Sequence, residues 1–316
     1  MDQTISGRAL RSATSRRRRR LVTALLKAGG PALPTKPPPD RPVFVLGSPR
    51  SGTTLLFEAL GRSPHLGSLG VESHLLWEMF HPVIRPDRIT HQVGPDEVTS
   101  RERRVLYWAI DRLSGGRRYL DKAPRNCLRV PYLDELFPGA NFVYLKRDGR
   151  AAVSSLITGW RAPGGMFPGT KLPAPLDIQG YDGRTWKFLV PRGWEAYTTG
   201  KSLAEVCAFQ WVAANQALLD ARGRIAPERW IELTYEELVA SPRDQLGALL
   251  GRLALPQDPA VLDRAVSLDR HVTKAVTAPR RDKWRQENPE EIGSILPLIE
   301  PTMRRMGYQI EQDDPV

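Results

Sequence analysis

The stretch that most constrains this chain is Val43-Phe44-Val45-Leu46 running directly into Gly47-Ser48-Pro49-Arg50-Ser51-Gly52-Thr53-Thr54. Four apolar residues in a row, ended by glycine, read as a strand buried on both faces, the kind found in parallel sheets. From Gly52 to Leu60 the spacing turns helical, with Leu55, Leu56 and Leu60 toward one face. A strand, a glycine-bearing turn and a helix in that order bring backbone N–H groups and a helix N-terminus to one point, which makes an anion site. Gly52 permits close backbone approach, and the Thr53 and Thr54 hydroxyls add donors.

The rest of the chain repeats the alternation. Leu66 to Val71 is predicted as a strand, Ser73 to Phe80 as its helix, and residues 96–113 as a longer amphipathic helix. Tyr119-Leu120 reads as a short strand, and Pro131 to Phe137 as a helix opened by proline. Asn141 to Lys146 is a strand and Gly149 to Ile157 a helix; Leu203 to Asp220, Trp230 to Leu233 and Arg243 to Leu253 follow as helix, strand and helix. The predicted class is α/β, a P-loop-like parallel sheet of about five strands with helices on both faces.

Residues 41–312 are expected to form one domain, since 316 residues at 41% hydrophobic can bury a full core. Residues 1–40 read as a basic tail and a stiff linker, with six prolines between Pro31 and Pro42. A Gly- and Pro-rich insert at 158–200 carries Trp160, Phe167, Tyr181, Trp186, Phe188, Trp194 and Tyr197. So many aromatics argue for an ordered wall on the acceptor side, or for packing of that wall onto the core.

Charge narrows the partners. Residues 1–40 hold nine Lys and Arg against Asp2 and Asp40, so +7 of the net +11 sits there and only +4 on the remainder. No nucleic acid is expected from that balance. The Arg16 to Arg20 run reads first as a solvated arm and second as a weak contact for an acidic membrane surface or polyanion. The apolar run Leu21 to Leu26 stops at Lys27 without a cleavage signal, so a basic tail is expected here and not an export signal. Apolar runs fall short of the roughly 18 residues of a membrane helix. Cys127 and Cys207 stand alone, with no disulfide or zinc pattern, which makes a reducing cytoplasm the default.

Compared with the nucleotide-triphosphate loop G-x-x-x-x-G-K-[ST], Gly47 and Gly52 match, but Thr53 stands where the lysine belongs. Loss of the group that reaches the β- and γ-phosphates argues against ATP or GTP. Arg50 supplies a cation from within the loop. Farther on, Arg147 ends a predicted strand and Ser155, eight residues later, lies about two helical turns away, facing back toward it. Alone, Arg147 to Arg150 reads as an ion-pair cluster around Asp148.

Together the two motifs resemble the sulfotransferases that use 3′-phosphoadenosine 5′-phosphosulfate (PAPS). That family grips the 5′-phosphosulfate with a P-[KR]-S-G-T-T loop, here Pro49, Arg50, Ser51, Gly52, Thr53 and Thr54. It grips the 3′-phosphate with an Arg and a Ser eight apart, here Arg147 and Ser155. The likeness continues through Tyr235-Glu236-Glu237-Leu238, Asp282-Lys283-Trp284-Arg285 and Met303 to Tyr308. It implies that Tyr235 borders the nucleotide and that Arg280, Arg281 or Lys283 touches the 3′-phosphate, unless these are a solvated basic face.

The resemblance also implies a base to take the acceptor's proton. The K-T-H-x-P histidine of many cytosolic members is missing from Asp121-Lys122-Ala123-Pro124-Arg125-Asn126. Glu72, matching the Glu of bacterial, sugar- and protein-directed branches, becomes the candidate, weighed against an ion pair with Arg50 or Lys122; His74 stands in reserve. Arg50 and Lys122 would steady the transferred charge, and no metal is required. PAPS is thus the expected co-substrate, and the acceptor a hydroxyl, less readily an amine, of a glycan, glycolipid or small molecule. Two rival readings are a P-loop kinase or nucleotide hydrolase and a basic polyanion-binding adaptor. Oligomeric state is not legible.

Overall fold

The computed structural model describes residues 33–70, 72–163, 166–167, 169–265 and 283–309. In chain order the elements are β1 (Val43–Leu46), α1 (Thr53–Leu60), β2 (Leu66–Gly67), α2 (His74–Glu78), α3 (Ser100–Ser114), β3 (Arg118–Lys122) and α4 (Val130–Leu136). Next come β4 (Asn141–Lys146), α5 (Gly149–Arg161), β5 (Gly169–Thr170), β6 (Asp177–Gln179), β7 (Trp186–Lys187), β8 (Thr199–Ser202) and α6 (Leu203–Arg222). The last are β9 (Trp230–Thr234), α7 (Tyr235–Ala240), α8 (Pro242–Arg252), α9 (Pro259–Ala265), α10 (Trp284–Glu287) and α11 (Pro289–Arg305).

The main sheet has the order β2-β3-β1-β4-β9, and every pairing in it is parallel. A parallel sheet must be covered on both faces, and the pleat divides its side chains accordingly. Phe44, Leu46, Phe142 and Tyr144 point into a core shared with α3, α4, α5, α6 and α11. Val43, Val45, Val143 and Leu145 point into a second core with α1, α8 and α9. The expected class and sheet are the ones observed.

From β1 the chain crosses to β2 on one side, fills in β3 and returns past β1 to β4 on the other. The strand order therefore reverses about β1, and in open α/β sheets ligands bind beyond the strands' C-terminal ends at such a switch point. The turns after β1, β2, β3, β4 and β9 all lie at that edge.

Several boundaries differ from the sequence reading. β2 has two residues where six were expected, because the backbone turns through a left-handed Gly70 (φ 66°) before α2. α5 runs on to Arg161, taking Thr158 to Trp160 out of the expected insert. Trp160 is fully buried and its Nε1–H donates to Gln210 Oε1 (3.1 Å). Beyond it, the buried Lys187 ammonium caps the helix end by donating to the carbonyls of Trp160 (2.6 Å) and Ala162 (2.8 Å). Trp186 and Trp194 are also buried, so the insert's tryptophans pack it onto the core. α11 holds despite Pro297 and Pro301 inside it, because Ile292, Ile295, Ile299 and Met303 anchor one face.

Candidate functional site

The turn between β1 and α1 is shaped by two residues in the left-handed region, Arg50 (φ 71°) and Gly52 (φ 89°). A side chain at Gly52 would place its Cβ 2.5 Å from Tyr235 Cδ2, so the glycine is required by both conformation and space. At Gly47 a Cβ would stand 2.8 Å from the Leu145 carbonyl of the neighbouring strand. The Ser48 and Ser51 hydroxyls bond across the turn (2.6 Å), and Ser51 N–H closes on the Ser48 carbonyl (3.1 Å). Ser48, Pro49 and Ser51 are buried, and Thr53 opens α1.

Two guanidinium groups meet over this turn. Arg50 Nε donates to Ser155 Oγ on α5 (3.1 Å), and its carbonyl accepts from Arg147 Nη1 (2.6 Å). Arg147 stacks on Tyr235 (4.4 Å to the ring centre) and Arg50 on Phe167 (4.9 Å). Burial, and then the neighbouring charge of Arg147, lower the Arg50 guanidinium to about 10. Arg147 Nε is buried, and among the described residues nothing accepts from it. Arg147 and Ser155, 97 and 105 positions from Arg50, are thus brought to the turn after β1.

A second group lies at the ends of β2 and β3. The buried Lys122 ammonium donates to Thr54 Oγ1 (2.9 Å) and to Glu72 Oε1 (2.6 Å). The other Glu72 oxygen accepts from His74 Nε2 (2.7 Å). Glu72 is therefore ion-paired with Lys122. Because Nε2–H faces a carboxylate, the neutral ring presents a lone pair at Nδ1, which is buried and has no partner among the described residues. Burial outweighs the Glu72 contact and holds the His74 pKa below its ordinary value.

Arg280 and Arg281 lie outside the described residues. Lys283 ion-pairs with Glu287 on its own helix (3.3 Å). The Asp148 cluster is real for Arg150, which Asp148 binds (2.8 Å) while capping α5, but Arg147 turns away to the phosphate turn.

Sequence reasoning missed the Arg50–Ser155 bond, the seat of Arg50 on Phe167, and the brace in which Glu236 accepts from Asp148 N–H (3.1 Å) and Tyr308 O–H (2.9 Å). For the brace there was a signal, since both the Tyr-Glu pair after β9 and the Gly-Tyr pair after α11 had stood out. Phe167 stood out only as one aromatic of the insert, with no sign that Arg50 would stack on it.

The profile of the sulfotransferase family matches residues 42–170, the span from β1 to β5. Protein-tyrosine sulfotransferase A of Caenorhabditis elegans is 24% identical over 297 residues, covering 86% of this chain and 68% of its own length. Protein-tyrosine sulfotransferase 1 of Danio rerio is 25% identical over 296 residues, covering 86% and 74%. Among solved structures, the sulfotransferase domain from the curacin biosynthetic pathway superposes with a TM-score of 0.53 at 17% identity, over 86% of this chain and 99% of that domain. At that identity the likeness is one of fold.

Proposed function

We infer that the chain is a PAPS-dependent sulfotransferase, and from that premise we propose how its residues hold the donor and carry the sulfuryl group to an acceptor hydroxyl. The observation that carries the assignment is the pair of half-buried guanidiniums, Arg50 and Arg147, set together over a glycine turn, with no acceptor for the buried Arg147 Nε among the described residues. Like charges so placed repel each other unless an anion lies between or beside them. Pro49 to Thr54 form the cradle for the 5′-phosphosulfate, and Arg147 and Ser155 receive the 3′-phosphate. Tyr235 supports both, with Lys283 and the uncharted Arg280 and Arg281 as further candidates for the 3′ side.

When bound, PAPS supplies the sulfuryl group, the S–O bond to its 5′-phosphate breaking as the acceptor oxygen bonds to sulfur. Lys122 and Arg50 stand where negative charge grows, and their fixed orientation makes them effective without reorganisation. Glu72 takes the acceptor's proton in this reading. A second reading has a specific observation behind it: both Glu72 oxygens already accept from Lys122 and His74, whereas His74 Nδ1 is free among the described residues. His74 would then be the base and Glu72 the carboxylate that orients it, an arrangement familiar from other His–carboxylate pairs.

The acceptor is read as a glycan, glycolipid or small-molecule hydroxyl, and the names of the relatives add a protein tyrosine to the panel worth testing. The reading extends to a cytoplasmic enzyme with one catalytic domain at 41–312 and a basic extension at 1–40. No helix among the described residues is long and apolar enough to cross a membrane.

Isothermal titration with 3′-phosphoadenosine 5′-phosphate (PAP), beside ATP with magnesium, tests the donor site. Metal-independent binding of the bisphosphate that is lost in Arg147→Ala is expected; binding of ATP alone, or of neither, overturns the site. PAPS turnover with phenol, sugar and tyrosine-peptide acceptors then separates the bases. Loss of a general base costs about 10²- to 10⁴-fold. A loss of that size in Glu72→Gln with His74→Asn nearly active supports Glu72, and the reverse ranking supports His74.

A further inference from the structure

Next to the proposed base lies a buried basic cluster that neither the donor site nor the core accounts for. Arg129 follows β3 by seven residues and is only 1% exposed. Its Nε and Nη2 are buried, and among the described residues nothing accepts from either. Fully buried guanidiniums almost always find carboxylates or carbonyls, since an unsatisfied buried charge is costly. The negative charge that acts on Arg129 is Glu78, and Glu78 is already ion-paired with Arg125. The neighbouring Tyr132 and Cys127 are neutral, both raised by burial, the thiol to about 12.

His91 adds a second orphaned donor. Its Nδ1 accepts from the Val190 N–H (2.8 Å), so the neutral ring carries its proton on Nε2. That Nε2 is buried without a hydrogen-bond partner among the described residues, 3.9 Å from Glu78 Oε1. Arg125 and Arg129 both act on His91, and so does His74, which is bonded to Glu72. The side chains of Arg125, Glu78 and His74 are 16%, 22% and 25% exposed, so solvent reaches the cluster from the side of the base. Arg129 and His91 themselves are buried.

We propose that Arg129 and His91, reached past Arg125 and His74, form a subsite for a compact anionic group, a carboxylate, carried by the acceptor itself. The claim rests on the sulfotransferase reading only in calling the ligand an acceptor. The chemistry fits: Nε and Nη2 of one guanidinium present the parallel pair of donors that a carboxylate accepts side by side, and His91 Nε2–H adds a third. Two arginines against one glutamate leave the cluster with one positive charge, which a monoanion neutralises. A carboxylate seated there would hold a small acceptor with its hydroxyl toward Glu72 and His74.

The test uses the full chain with saturating PAP, and benzoate and its uncharged analogue benzamide as probes. Titration calorimetry is expected to show benzoate binding and benzamide not binding. In Arg129→Met, benzoate affinity falls by about tenfold or more, the scale of charge-assisted hydrogen bonds, while PAP affinity is unchanged. Without ligand, Arg129→Met melts no lower than the native chain, because methionine fills similar space and removes an uncompensated charge.

Equal binding of benzoate and benzamide, no benzoate binding, or benzoate binding that survives Arg129→Met overturns the subsite. So does a large fall in Tm of ligand-free Arg129→Met, which marks a structural cation. If Arg129→Met fails to fold, Arg129→Lys is used: it keeps the charge but not the fork, and benzoate must still weaken. PAP binding is read in the same cell, so a chain that takes benzoate but not PAP defeats the donor assignment and leaves the subsite standing.

Discussion

At Gly52 a single hydrogen atom decides whether the phosphate turn exists. The backbone there is left-handed and the Tyr235 ring stands where a Cβ would go. Gly52→Ala is expected to cost about 1–3 kcal/mol in stability and to abolish PAP binding, as measured by denaturant titration and calorimetry. Gly251, at the end of α8 with open space around a would-be Cβ, is the control. Gly251→Ala should be neutral or stabilising by about 0.5–1 kcal/mol. Equal losses at the two positions would mean that the turn is not held by Gly52.

The histidines make a pH prediction at the same scale. Burial keeps the His91 pKa well below 6.5 in the folded chain, and that of His74 below it too. The unfolded chain takes up those protons near pH 6.5, so between the folded and unfolded values unfolding binds protons. Stability is therefore complete above about pH 6.5 and falls as the pH drops below it. Asp121 acts oppositely in a lower window: burial raises its pKa above 3.8, so stability declines as pH rises through the interval just above that value. His91→Asn keeps an acceptor for the Val190 N–H and removes the titration. Its Tm should fall less than the native Tm between about pH 7 and pH 5.5; an unchanged slope would rule His91 out as a source of the acid sensitivity.

At the scale of elements, α5 carries the site at one end and is fastened at the other. Ser155 sits two turns in, opposite Arg50, while Lys187 holds the last carbonyls and Trp160 the core. Desolvation lowers the Lys187 pKa, yet the three carbonyls around it match an ammonium's three donors. Lys187→Met strips those carbonyls of their partner and should cost about 1.5–3 kcal/mol, with PAP affinity falling less than in Arg147→Ala. Denaturant unfolding with calorimetry reads both. A variant as stable as the native chain would show that the insert and α5 hold together through the tryptophans alone.

For the whole molecule, the donor site and stability pull against each other. Arg50 and Arg147 are drawn together by Ser155, Tyr235 and the turn carbonyl at an electrostatic cost that a bound anion removes. Arg147→Met should therefore leave the ligand-free Tm unchanged or higher. It should also lose the stabilisation of about 2.7 kcal/mol that PAP gives the native chain at a hundred times its dissociation constant. A thermal-shift series with and without PAP checks this, and a lower ligand-free Tm would mean that Arg147 serves the fold before the ligand.

How much was legible follows from which interactions are local. Val43 to Leu46, the helical spacing after Gly52 and the alternation through β4, α5, α6 and β9 are patterns of burial that neighbouring residues impose on each other. The α/β class, the parallel sheet and the two segments proposed to hold the donor could therefore be read in order along the chain. Element ends were less legible, since β2 is cut short by Gly70 and α5 is prolonged by Lys187 and Gln210, partners remote in sequence.

What the chain order could not supply is which donors remain unpaired. In sequence Glu72 reads either as a base or as the partner of Arg50 or Lys122, and only the fold sets Lys122 and His74 against its two oxygens and leaves His74 Nδ1 open among the described residues. Arg129 is one arginine among many until packing seals it beside an already committed Glu78. Sequence by itself determined the scaffold and the segments proposed to bind the donor's phosphates, because strand, turn and helix are specified by near neighbours. The tertiary structure alone decided which charges are neutralised within the protein and which are left for a ligand, because burial and pairing depend on groups that meet only after folding.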